Sequence, residues 1–358
     1  MPDNSHSVKQ LSVQNLSVRF PTVRGTVCAV NGVSFELSQG ASLGIVGESG
    51  SGKSVTARTL MNLLPRSAEV SGGVEFEGAD VRRLARERVK HFWGVKMAMI
   101  FQDPMTSLNP VKKCGTQISE TLRYHLKRDR KTARHEGIDL LNLVGIPEPK
   151  KRFDQYPHEL SGGLRQRVVI AMALACDPSL LIADEPTTAV DVTVQKHLLD
   201  LLDRLRKERG MSLILITHDL GVARRRCDEI AVMYAGRIVE RGKPEDLFED
   251  PRHPYTDALL RSMPRLNTPI HSRLEAIGGP PPELINPTEQ CSFAPRCTLA
   301  QADCLQSVPQ LSGVIGMREI ACFYPANTKR GRRALAKNRA RGKTAAGLQM
   351  SARRHTSG

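Results

Sequence analysis

Two stretches near the start of the chain, Leu11–Phe20 and Thr26–Leu37, alternate apolar and polar residues with a period of two. That alternation predicts paired antiparallel strands with one buried face. Later runs have a different texture. Ala41–Val46, Val95–Phe101, Leu180–Ala183 and Ser212–Thr217 are short and, apart from Lys96, mostly apolar, as strands are when a sheet is covered on both faces. A helix is expected from Lys53 to about Leu64, and residues 103–157 turn mainly helical, which reads as an inserted helical subdomain. Beyond Pro264 the periodicity fades and prolines crowd, as in Gly279-Pro280-Pro281-Pro282. A boundary there divides the chain into a first domain, 1–265, a small Cys- and Pro-rich C-terminal domain, 266–328, and a tail, 329–358.

Composition narrows the class. An apolar content of 40% supports a packed core. The longest apolar run, Val168–Cys176, is far short of the roughly 20 residues that span a bilayer, and the first ten residues lack the apolar segment of a secretion signal. A cytosolic chain is the expectation, touching a membrane only through a partner or surface charge. Of the net charge of +15, ten positive charges fall in 329–358, which has no Asp or Glu, leaving 15 − 10 = +5 for the body. The tail is therefore expected to be a disordered, solvated basic extension, and the high overall charge is no sign of a nucleic-acid-binding domain. Four of the eight cysteines are scattered, whereas Cys291, Cys297, Cys304 and Cys322 gather near the C-terminus. In a reducing compartment such a group points to metal before disulfide.

The chemistry begins at Gly47-Glu48-Ser49-Gly50-Ser51-Gly52-Lys53-Ser54, a G-x-x-x-x-G-K-S between an apolar strand and a helix. Its glycines let backbone N–H groups converge on phosphate oxygens at a helix N-terminus. Lys53 is expected to serve the β- and γ-phosphates of ATP, Ser54 to ligate Mg²⁺, and Val55 to lie in the first helical turn beside them. The run Leu180–Ala183 ends in Asp184-Glu185, two carboxylates at the C-terminal end of a central strand, where α/β sheets bind ligands. Asp184 is placed to hold Mg²⁺ and Glu185 to polarise an attacking water. A third string, Leu160-Ser161-Gly162-Gly163-Leu164-Arg165-Gln166, predicts a helix capped by Ser161 and running to about Cys176. Its glycines leave N–H groups open as a second anion site. A single nucleotide does not need two such sites in one chain, so a head-to-tail dimer is expected.

With these three motifs in this order, the chain resembles the nucleotide-binding subunit of an ABC importer, specifically of the dipeptide/oligopeptide class. The resemblance implies an α/β P-loop NTPase of ABC type, with a RecA-like core, an antiparallel β subdomain and a helical insert. It implies that Gln102 is the Q-loop residue near Mg²⁺, that Asp191 belongs to the D-loop, and that His218 is the switch histidine. By the same resemblance Phe20 stacks on adenine, and Leu160, Ser161, Gly162, Gly163, Gln166 and Asp191 act in trans on the partner's nucleotide. The subclass rests on Phe101–Pro110, Thr187–Gln195 and His253-Pro-Tyr-Thr256. Implied partners are a second ATPase cassette, identical or related, two membrane-spanning permease subunits and, through them, an external substrate-binding protein. The implied location is peripheral, on the cytoplasmic face of the inner membrane, with no specific nucleic-acid partner. Close relatives of the motif set serve nickel or other small solutes, so that cargo is the alternative. A soluble ABC ATPase acting on nucleic acid or ribosomes is a remoter one, because about a hundred residues without sustained heptads separate Lys53 from Ser161 and only one cassette is present. The cysteine spacing C-x₅-C-x₆-C-x₁₇-C is looser than a zinc ribbon's paired C-x₂-C. A [4Fe–4S] cluster, favoured by the resemblance, stands beside zinc and plain buried thiols.

Overall fold

The computed structural model describes residues 9–84, 89, 91–103, 107–187, 192–263, 277–286, 289–313 and 318–350. Strands β1 (Lys9–Thr22) and β2 (Gly25–Ser38) form the long hairpin that the alternation predicts, and with β4 (Glu69–Phe76) and β5 (Ala79–Asp80) they build an antiparallel sheet ordered β2-β1-β4-β5. The main sheet has eight strands in the order β11-β12-β10-β9-β3-β8-β7-β6. These are β3 (Ser42–Val46), β6 (Met97–Ile100), β7 (Leu180–Asp184), β8 (Ser212–Thr217), β9 (Glu229–Tyr234), β10 (Arg237–Gly242), β11 (Ser312–Gly313) and β12 (Glu319–Ile320). From β6 to β9 the strands run parallel.

The mostly apolar texture of β3, β7 and β8 follows from what covers them. Leu43, Ile45, Leu180, Ile182, Ile214 and Ile216 pack with the antiparallel sheet and with α1 (Lys53–Leu60). Their strand neighbours Val46, Leu181, Ala183, Leu213 and Leu215 belong to the cluster on the other face. Side chains alternate across a strand, so successive residues serve two different cores, and the polar residues Ser42, Asp184, Ser212 and Thr217 fall at the strand ends. The second face is covered by helices α2 (Cys114–Leu126), α3 (Arg130–Leu143), α4 (Pro149–Phe153), α5 (Gly162–Leu174) and α6 (Val192–Arg209). Among the described residues, the expected helical stretch of 103–157 thus holds the three helices α2, α3 and α4.

Beyond these lie α7 (Leu220–Arg226), α8 (Pro244–Glu249) and α9 (Pro254–Ser262). The described part of the C-terminal region, from residue 277 on, does not stand apart from the core. Phe293, Ala294, Cys297, Leu299 and Ala300 join the same hydrophobic cluster as Val46 and Tyr255, and β12 pairs with β10. Buried Glu240 of β10 accepts hydrogen bonds from Arg252 N, His253 N and the Arg318 guanidinium, which fastens two further segments to one carboxylate.

The tail corrects an expectation. Instead of a disordered extension, Lys329–Ala340 forms helix α10, capped by Thr328, whose Oγ1 accepts from Gly331 N at 3.0 Å. Gly331, Ala334 and Asn338, spaced three and four apart, form its buried face. Asn338 donates to Thr298 O (2.9 Å) and Ala300 O (3.2 Å) and accepts from Gln301 Nε2 (2.7 Å). The contact stripe is made of small residues, while the Lys and Arg side chains occupy the outer face, and so composition alone reads as solvated chain. Residues 351–358 lie outside the described part.

Candidate functional site

The glycine-rich loop leaves the C-terminal end of β3 and enters α1. Two of its glycines are required by close approach. A Cβ on Gly47 would stand 2.1 Å from the Met233 carbonyl oxygen, and one on Gly52, whose φ is +102°, would stand 2.3 Å from that of Ala29. Lys53 lies under the loop, 4% exposed, with Nζ donating to Gly47 O (2.7 Å) and Glu48 O (2.9 Å). Burial lowers its pKa, an effect opposed by the nearby Glu185, Asp184 and Glu48 carboxylates. Ser54 Oγ donates to Asp184 Oδ1 at 2.9 Å, so the two expected Mg²⁺ ligands are in contact. Asp184 is 1% exposed, and burial raises its pKa against the Ser54 hydrogen bond.

Glu185 is the convergence point. Its Oε2 accepts from Gln102 Nε2 at 3.1 Å and lies 3.5 Å from His218 Nδ1. Its backbone is in the left-handed region, φ +45°, at the end of β7. A non-glycine residue there costs on the order of 1–3 kcal/mol and persists only where the surroundings enforce it. Here Glu185 N donates to Ile216 O of β8 at 3.0 Å. Residues from four strand ends thus meet at one edge of the sheet, an arrangement able to bind a triphosphate, hold a divalent cation through Ser54 and Asp184, and orient a water.

Other expected residues lie elsewhere. Ser161 caps α5, with Leu164 N donating to its Oγ at 3.4 Å. Ser161 and Gly162 are exposed, and a Cβ on Gly162 would meet nothing within 4 Å, as suits an anion site facing another molecule. Leu160 and Gln166 are buried. Gln166 Nε2 donates to Pro186 O at 2.7 Å, joining α5 to the segment after Glu185. Phe20 is half-buried near the end of β1, paired in register with Val27. Asp191 lies outside the described residues.

The four clustered cysteines line a single small, almost wholly apolar pocket together with His253, Pro309 and Tyr324. All are free thiols. Burial pushes Cys291 up to about 11 and Cys322 up to about 12, with neighbouring thiols adding to both. Leu299 N donates to Cys297 Sγ at 3.4 Å. Among the described residues, however, no three His, Cys, Asp or Glu side chains converge closely enough to hold a metal ion. The thiols share the wall of a pocket rather than a point.

The sequence reading missed what holds the glycine-rich loop from behind. Glu48 N donates to the Tyr255 hydroxyl (2.8 Å), and the Glu48 carboxylate takes both arms of Arg296, at 2.7 and 3.0 Å. Arg296 is 248 residues away in sequence, and no local pattern marks it.

The chain's matches to known proteins agree with this geometry. The family model "ABC transporter" matches residues 30–188, and the model "Oligopeptide/dipeptide transporter, C-terminal region" matches 239–304. The chain is 50% identical over 303 residues to the dipeptide transport ATP-binding protein DppD of Bacillus subtilis, covering 84% of this chain and 90% of that protein. It is 52% identical over 292 residues to the oligopeptide transport ATP-binding protein OppD of the same organism, covering 81% and 82%. The Salmonella typhimurium OppD protein is 47% identical over 315 residues, covering 88% and 93%. Among solved structures, the ATP-binding cassette MJ0796, a dimer bound to ADP and Pi, matches at 25% identity with a TM-score of 0.59, over 65% of this chain and 98% of that one.

Proposed function

Because this chain belongs to the ABC transporter ATP-binding family, we propose that it is the ATP-binding and hydrolysing subunit that energises import of dipeptides or oligopeptides across the cytoplasmic membrane. The observation that carries the motor role is the meeting of Gln102, His218 and Glu185 beside the Ser54–Asp184 pair. The cargo reading is supported by the 239–304 match and by the named relatives. In this reading the loop 47–52 and Lys53 bind the phosphates, Ser54, Asp184 and Gln102 hold Mg²⁺, and Phe20 stacks on adenine. Glu185 takes hydrogen bonds that aim it at the attacking water, and His218 shares it with the γ-phosphate. The exposed Ser161–Gly163 end of α5, with Asp191, closes on the nucleotide of a second cassette.

No helix among the described residues is long and apolar enough to cross a membrane. The cargo path accordingly belongs to two separate permease subunits, fed by an external binding protein, with this chain peripheral on the cytoplasmic face. We assign residues 1–265 to the motor and 266–328 to an accessory region. In that region Cys291, Cys297, Cys304 and Cys322 supply the donor set of an iron–sulfur cluster, four thiols lining one dry pocket, but they do not converge on a single point. Such a group would supply a structural cross-link, and the thiols would bind it as thiolates, their protons released to solvent. Anaerobically purified protein should then be brown. Colourless protein without iron would refute this part alone.

The motor assignment is tested with Glu185→Gln. Binding of Mg²⁺–ATP should survive while turnover falls by about 10²–10⁴. Lys53→Ala should instead weaken binding itself. Turnover near the wild-type rate in Glu185→Gln would overturn the assignment.

A further inference from the structure

The C-terminal region bears on the nucleotide-binding half at two places, the glycine-rich loop and strand β2. The first is the Glu48–Arg296 pair. Arg296 has all five N–H donors engaged: Nε to Gly278 O, one terminal nitrogen to Glu48 Oε2 and the Tyr234 hydroxyl, the other to Glu48 Oε1 and Ile277 O. Its side chain is 5% exposed, so the fork has one geometry and little solvent to exchange with. The second is the outer edge of β2. Leu284 O accepts from Cys28 N, Ile285 bridges Val27, and Asn286 both donates to Thr26 O and accepts from Thr26 N. Val27 is the register partner of Phe20. Residues 277–286 and 289–297 therefore bear on the phosphate loop at one end and on the hairpin carrying the adenine-stacking candidate at the other.

We infer that Arg296 is a positioning residue for ATP, reaching the nucleotide site through Glu48. Two effects follow from its geometry. It fixes the first turn of the loop, whose Gly47 and Glu48 carbonyls already receive Lys53 Nζ. It also neutralises a carboxylate that would otherwise stand next to the site where a polyanion binds. A bidentate guanidinium suits both tasks, and a lysine suits only the second. Both effects act on ground-state phosphate binding rather than on the water that Glu185 orients, so affinity should suffer more than turnover. The inference rests on the ATP-site reading given above.

The test measures Mg²⁺-dependent binding of a fluorescent, non-hydrolysable ATP analogue and the KM and kcat of ATP hydrolysis in the full-length chain. Arg296→Ala should weaken analogue binding and raise KM by about tenfold or more, with kcat at saturation changed by less than about threefold. Adding Glu48→Gln to Arg296→Ala should recover much of the affinity, because it removes the exposed anion. A side chain that only supported the fold would show no such recovery. Arg296→Lys, which keeps the charge and the bulk, should fall between the two and serves as the variant of reference if Arg296→Ala does not fold. Wild-type affinity in folded Arg296→Ala or Arg296→Lys would overturn the inference, as would a loss that Glu48→Gln does not relieve. A wild-type chain that itself fails to bind the analogue would instead overturn the ATP-site reading.

Discussion

Arg318→Met removes one partner of the most buried ion pair among the described residues of the C-terminal region. Glu240 has no exposed surface, and Arg318 reaches its Oε1 at 2.5 Å while also donating to the Asp250 carbonyl. Methionine keeps the unbranched stem but leaves a buried carboxylate without its cation. Stripping one partner from such a pair costs about 3–5 kcal/mol. The low end applies here, because Glu240 keeps two N–H donors, from Arg252 and His253, each at 2.9 Å. An unfolding entropy of about 2.1 cal/mol/K per residue gives a chain of this length about 0.75 kcal/mol/K. A loss of about 3 kcal/mol then lowers Tm by about 4 °C. Differential scanning fluorimetry of wild type, Arg318→Met, Glu240→Gln and the double variant completes a cycle, and the double variant should be less destabilised than the sum of the singles by about 1.5 kcal/mol or more. A Tm for Arg318→Met within 1 °C of wild type, or strict additivity, would refute the view that this pair fastens the C-terminal region to β10.

Two further outcomes concern packing that the structure makes specific. A Cβ on Gly115 would sit 2.2 Å from the Phe153 ring, so Gly115→Ala should cost about 1–3 kcal/mol through overpacking, with Phe153→Leu in the same chain restoring part of the Tm. Asn338→Ala removes the bonds to Thr298, Ala300 and Gln301 and should cost about 1–3 kcal/mol in unsatisfied groups. Limited proteolysis should then cut within 329–350 at protease levels that leave wild type intact; equal resistance would show that α10 is held by other contacts.

What was legible in the sequence was what short spacing determines. The loop 47–54, the pair Asp184-Glu185 and the capped start of α5 are each contiguous strings, and the chemistry of each follows from a few neighbouring residues. The apolar strands β3, β7 and β8 were legible because burial on both faces confines their polar residues to the strand ends. The strands β11 and β12 were not, since two residues each carry no period. Helix α10 was hidden because Gly331, Ala334 and Asn338 make a contact stripe without bulky apolar side chains. Arg296 was hidden for another reason: one arginine in a proline-rich stretch gives no sign of a carboxylate 248 residues upstream.

These contacts change how a deletion of the C-terminal region should be read. Tyr255, which is fully buried and supplies the hydroxyl under Glu48 N, packs against Tyr234 and Phe293 with ring centroids 4.5 and 5.4 Å away. Removing everything after residue 265 would uncover this aromatic cluster and strand the Glu48 carboxylate at the same time. Loss of ATP binding in such a truncation would therefore have two causes, a damaged core and a misplaced loop. A Phe293→Leu variant keeps Arg296 and disturbs only the packing, whereas Arg296→Lys keeps the packing and disturbs only the fork. If the cluster and the ion pair are separable, Phe293→Leu should lower Tm by several degrees with ATP affinity nearly unchanged, and Arg296→Lys should do the reverse.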